Sequence, residues 1–235
     1  MGLEITVGAL ADLRQNDPEG VKWLRKELEL VSEVMVKSGL QPHREPEDAQ
    51  IWFASGYGYS GLHKLREIAG LHWMGKEIPC GRLNDDIAAE DALFYAALQR
   101  LQPTILQRFV SLGKSKSKLP FVHLIAHSDA AGYYVPTNFE FPLIPKRMEE
   151  STAHIWPLGS VQQLAGEVGA LIELLKIPIG VDQYDERLLS RLETGNDETG
   201  VGALWEFHPI AAFTALILKE ACEASLQSGA AIQFS

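Results

Sequence analysis

The chain has little of what would assign it a chemistry. Among 235 residues there are two cysteines, Cys80 and Cys222, too few for a disulfide framework or a cysteine metal set. They read as reduced thiols in a cytoplasmic protein. No apolar run reaches the roughly 20 residues that a membrane span needs; the longest lies between Pro209 and Leu218. The N-terminus has no basic region leading into an apolar stretch, so secretion is not expected. Met1–Thr6 fits a loose myristoylation pattern, but Leu3, Ile5 and Val7 alternate as in a strand.

Basic charge is also scarce. Against 31 acidic residues stand 21 basic ones, a formal net charge of −10. Such a surface repels phosphate backbones and anionic lipids. The one dense basic run, Lys114-Ser-Lys116-Ser-Lys118, reads as a solvated connector. The expectation is no nucleic acid and no membrane as partner, with a basic protein as the partner the charge favours. Nothing in the sequence indicates an oligomeric state.

What the chain does have is apolar content, 46% of its residues, enough for a core that needs no staple. One domain over 1–235 is expected. Leu3–Val7 reads as a first strand. Asp17-Pro18 reads as the cap and first position of a helix running to Ser38, with Val21, Leu24, Leu28, Val31 and Met35 on one face and Gly39 at its exit. Gln50–Ser55 is a second strand, followed by a helix over 61–71 that Ser60 is placed to cap. A helix after Asn84 or Asp85 runs towards Pro103.

The apolar run from Leu119 reads as a buried strand ending at His127, Ile155-Trp156 as a short strand, and Ser160 with Gln163 as the start of another helix. A shorter helix over 185–192 follows. His208-Pro209 opens a last helix, apolar on most faces, and 231–234 is a closing strand. The pattern is that of an α/β or α+β single domain, a mixed β-sheet packed with about five or six helices.

Three constellations carry chemistry. Gly56-x-Gly58-x-x-Gly61, between a strand and a helix, meets the spacing of a dinucleotide loop and makes nucleotide binding one alternative. The second strand ending in an acid that such a fold requires does not follow, because the chain continues Lys-Glu-Ile-Pro-Cys-Gly. Seven histidines invite a metal. His123 and His127, on one face of an extended strand, would stand about 13 Å apart, too far to share one. No metal and no cofactor are expected.

The third constellation is His127-Ser128-Asp129 with Tyr133 and Tyr134. Asp129 can orient His127 as a base, with Tyr59 or Ser60 near it and His208 brought in from the last helix, which gives a small-molecule hydrolase or transferase as the other alternative. The bland reading is a hairpin, with Asp129 in an Asx turn, Gly132 at an unusual φ and His127 hydrogen-bonded in the core. His127, Ser128, Asp129, Tyr133, Tyr134, Tyr59, Ser60 and His208 are the candidate binding residues.

The same run, His127-Ser128-Asp129-x-x-Gly132-Tyr133-Tyr134-Val135-Pro136 with Phe139 and Pro142 beyond it, resembles a signature of uncharacterised bacterial cytoplasmic proteins, some of them immunity-like. Tyr59-Ser60-Gly61-Leu62-His63-x-Leu65-Arg66 has the same character. The resemblance implies an intracellular protein that acts by binding, such as an immunity-like partner of a basic toxin. It brings no catalytic residues with it.

Overall fold

A computed structural model describes residues 3–55, 59–73, 75–81, 83, 120–127, 131–145, 150–194 and 202–235. The elements are β1 (Glu4–Val7), α1 (Ala9–Asn16), α2 (Pro18–Lys37), β2 (Trp52–Ser55), α3 (Tyr59–Trp73), α4 (Val122–Ala126) and β3 (Gly132–Val135), then a 3-10 helix (Glu150–Ile155), β4 (Gly159–Ser160), α5 (Val161–Leu175), α6 (Glu186–Thr194), α7 (Leu204–Phe207), α8 (Pro209–Ser228) and β5 (Ile232–Phe234). Six of these helices have eight residues or more.

The strands form one mixed sheet in the order β2-β1-β5-β3-β4. Neighbours run antiparallel except β3 and β4, which are parallel. Helices cover both faces. On one, Ile5, Ala54, Tyr134, Ile232 and Phe234 pack with residues of α3, α5 and α8. On the other, Tyr133, Val135 and Ala231 meet Leu24, Leu28, Val31 and Met35 of α2. Alternation along β3 sends Tyr133 to one layer and Tyr134 to the other. Full burial of a side chain such as Ile232 stabilises by about 1.5–3 kcal/mol. This is an α+β fold.

Local signals account for the long helices. Asp17 accepts the Glu19 N–H at 3.1 Å and Pro18 fills the first turn of α2, satisfying or removing donors that a helix start leaves open. Helix α8 is buried on nearly every side from Ala211 to Leu218, as a helix apolar all round must be. Its chain continues into β5, which lies in the middle of the sheet rather than at its edge.

Three expectations are corrected. The stretch after Leu119 is not a strand: Val122–Ala126 is a helix, so the spacing given for His123 and His127 in extended chain does not apply. Ile155 ends a 3-10 helix and Trp156 follows it. Ser60 sits inside the first turn of α3, which starts at Tyr59, and so is not its cap.

Candidate functional site

The short helix α4 is made by groups far away in sequence. Glu167 of α5 takes the backbone N–H of His123 at 2.9 Å and of Leu124 at 2.7 Å. At the other end Arg66 of α3 donates to the carbonyls of Leu124, at 2.9 Å, and His127, at 2.8 Å. A carboxyl group at the N-terminus and a guanidinium at the C-terminus satisfy the groups a helix end leaves unpaired. Burial pushes the Glu167 carboxyl up to about 8, against the backbone N–H groups of His123, Leu124 and Val122, which pull it down.

His127, Tyr133 and Tyr134 are brought together, and they are buried. His127 is 1% exposed. Its ring stacks on Tyr134 at 4.0 Å between centroids, and its Nε2–H donates to the Tyr133 carbonyl at 3.2 Å. Gly132, at φ 118°, makes room for this: a Cβ there would lie 3.1 Å from His127 Cε1. Tyr134 donates its hydroxyl to the His123 carbonyl at 3.0 Å. A general base must reach the proton it removes, and this imidazole is buried. Ser128 and Asp129 lie outside the described residues, as does the side chain of Tyr59.

Ser60 lies exposed in the first turn of α3. His208 donates from Nε2 to the Pro79 carbonyl at 2.9 Å, and burial lowers its pKa. His123 is also committed. Its Nδ1 accepts the Ser160 N–H at 3.0 Å, leaving Nε2–H to donate to the Glu140 carbonyl at 3.3 Å. Burial lowers its pKa to about 4. With both ring nitrogens bonded, His123 has no lone pair for a metal.

For the dinucleotide alternative, Gly56 and Gly58 lie outside the described residues. Strand β2 is at the sheet edge and pairs, among the described residues, with antiparallel β1, where a dinucleotide fold needs a parallel neighbour. Gly61 serves packing, since a Cβ there would meet Thr214 Oγ1 of α8 at 2.2 Å.

Sequence reasoning missed a carboxylate. Glu27 of α2 is 5% exposed, takes the Tyr133 hydroxyl on one oxygen and is bonded to His154 Nε2 on the other. His154 in turn stacks on Trp23, centroids 6.1 Å apart. The signal was available: Glu27 falls three residues after Leu24 and four before Val31, inside the apolar stripe, where an unpaired charge would be costly.

Outside this satisfied interior, the surface carries carboxylates in two grooves that share one segment. The first, of about 680 Å³, runs between α2 and that segment. Leu10, Leu28 and Val36 supply its apolar part, and Glu29, Glu33, Glu45 and Glu47 its acidic part, with Arg25 and Lys37 among them. The second, of about 530 Å³, includes Asp48, Glu220 and Glu223 beside Trp52. Alternate residues divide between the two, Glu45 and Glu47 on one side, Pro46 and Asp48 on the other.

The segment is pinned from within. Glu45 Oε2 accepts from His43 Nε2 at 2.6 Å and from the Ala231 N–H at 2.8 Å. Ser32 Oγ donates to the His43 carbonyl at 2.8 Å. The His43 and Glu45 side chains are only 4% and 5% exposed. Glu47 is met at the surface by Arg14 at 2.8 Å and Arg25 at 2.6 Å.

The buried ionisable groups are bonded within the fold, and the His43–Glu47 segment is held in place. The sequence profile of the family described as "Putative DNA-mimic protein" matches residues 1–234, and the chain belongs to that family. No curated protein and no solved structure matches it. Membership corrects the expected partners. The expectation that nucleic acid has no part in its partnerships gives way, because a DNA-mimic family points to a protein that binds DNA, and a basic protein partner is compatible with that. It also favours binding over the hydrolase alternative. No helix among the described residues is long and apolar enough to cross a membrane, and among the same residues no group of three or more His, Cys, Asp or Glu could hold a metal ion.

Proposed function

We propose that this protein acts as a DNA mimic, occupying the DNA site of a DNA-binding protein with its own carboxylates. The observation that carries the reading is the family match over residues 1–234. A net charge of −10 supplies the physical means. Surface carboxylates offer a DNA-binding face the sign of charge it is built to meet, steer the encounter, and lose strength as salt rises. The resemblance of the His127–Pro136 run to immunity-like proteins fits the same mode of action, inhibition by occupying another protein's working surface.

The test is competition. The protein, immobilised, is offered a set of purified DNA-binding proteins, and those it retains are challenged with short duplex DNA. The reading expects release by duplex DNA and by salt, and loss of DNA binding by the retained protein when this chain is in excess. Retained proteins that duplex DNA does not displace, and that bind DNA equally well with this chain present, would refute it.

A further inference from the structure

We propose that the groove between α2 and the His43–Glu47 segment is where the DNA-binding protein docks, and that it takes in arginine and lysine side chains which that protein otherwise lays on DNA phosphates. The proposal rests on the DNA-mimic reading and gives it a place on the molecule.

The groove combines two chemistries that a cationic side chain can use together. Arginine and lysine have apolar stems and charged ends, and settle best where the stem lies on apolar surface and the end reaches an anion. Here Leu10, Leu28 and Val36 line the same groove as Glu29, Glu33 and Glu47. Val36 is 54% exposed, so covering it removes apolar surface from water that a phosphate backbone would not offer.

The acidic groups are also free to change partners. Glu47 is held by Arg14 and Arg25, and Glu33 by Lys37 at 3.1 Å, all with side chains 44% exposed or more. Exposed pairs of this kind hold weakly, so an incoming guanidinium can take over the carboxylate while the resident cation turns to water. Glu29 makes no ion pair among the described residues. The backbone bearing Glu47 is already fixed by the bonds of Glu45 to His43 and Ala231. Docking therefore has little ordering of this segment to overcome.

The experiment uses the full chain and a fluorescein-labelled, arginine-rich helical peptide that itself binds duplex DNA, followed by anisotropy at several salt concentrations. Four forms are compared: the native chain, Val36→Asn, a groove variant (Glu29→Gln, Glu33→Gln, Glu47→Gln), and a variant with the same charge change on α5 and α6 (Glu173→Gln, Glu186→Gln, Glu193→Gln). The groove variant is expected to bind about tenfold more weakly or worse, with a flatter salt dependence, and the other to stay within about twofold of native. Val36→Asn is expected to weaken binding several-fold while leaving the salt dependence as it was, an effect that net charge cannot produce.

Equal weakening in the two triple variants, or no effect of Val36→Asn, would overturn the groove as the docking site and leave the DNA-mimic reading standing. A native chain that binds neither the peptide nor any DNA-binding protein in the competition assay would overturn both.

Discussion

Gly159→Ala puts a methyl group where an aromatic ring already lies. Gly159 pairs with Tyr134 across the parallel β3–β4 ladder, and a Cβ there would stand 2.0 Å from Tyr134 Cδ1 and 2.3 Å from Cε1. The ring has no easy retreat. His127 stacks on it at 4.0 Å, Phe234 tilts against it at 5.5 Å, and its hydroxyl is tied to the His123 carbonyl at 3.0 Å. Overpacking a well-filled core costs typically 1–3 kcal/mol, and with three restraints on the ring we expect about 3 kcal/mol. For a chain of this length that lowers Tm by roughly 6–12 °C. Urea unfolding gives the free energy directly. Tyr134→Leu also destabilises, through lost packing, but in the double variant the methyl enters vacated space. The double is therefore expected to cost less than the two singles together by about 1 kcal/mol or more. A loss below about 1 kcal/mol for Gly159→Ala alone, or strict additivity of the two changes, would show that the ring is not confined as described.

Two further outcomes follow from the buried ionisable groups. Glu167 titrates at about 8 folded against an ordinary 4.5, and His123 at about 4 against an ordinary 6.5. Below pH 6.5 the folded state's extra proton on Glu167 and the unfolded state's extra proton on His123 offset each other. Between pH 6.5 and 8 Glu167 dominates: the folded chain keeps a proton the unfolded chain has lost, opposed only by the tail of the His123 and His208 titrations in the unfolded chain, so stability should fall by about 1 kcal/mol as pH rises through that window. Urea midpoints across the window should show this slope, and Glu167→Gln should abolish it; a slope that survives the substitution would assign it to another group. Glu27→Ala leaves the Tyr133 hydroxyl buried without its acceptor and should cost about 2–3 kcal/mol, part of which Tyr133→Phe in the same chain should recover; chemical unfolding showing no recovery would contradict the bond.

Much of the fold was legible locally. Asp17-Pro18 with Gly39 marked the ends of α2, the alternation of Leu3, Ile5 and Val7 marked β1, and the all-round apolar character of Pro209–Leu218 marked a central helix. The short apolar segment after Leu119 was not, because periodicity cannot separate a brief buried strand from a brief buried helix. The groove was illegible for a different reason. Its carboxylates come from α2 and from a proline-containing segment past the helix end, and only packing puts them on one surface. Glu27 lay in plain view in the stripe, while its partners Tyr133 and His154 stand more than a hundred positions away.

By itself, the sequence determined the class of fold, the long helices and the acidic balance, because caps, periodicity and charge are properties of neighbouring residues or of the whole count. The tertiary structure decided the rest. It coiled Val122–Ala126 into a helix by lending it a carboxyl group from α5 and a guanidinium from α3. It turned His127 and the two tyrosines inward, and it set the acidic residues of α2 beside those of the His43–Glu47 segment. Each depends on contacts between residues remote in the chain, and these exist only once the sheet and its two helical layers have closed on one another.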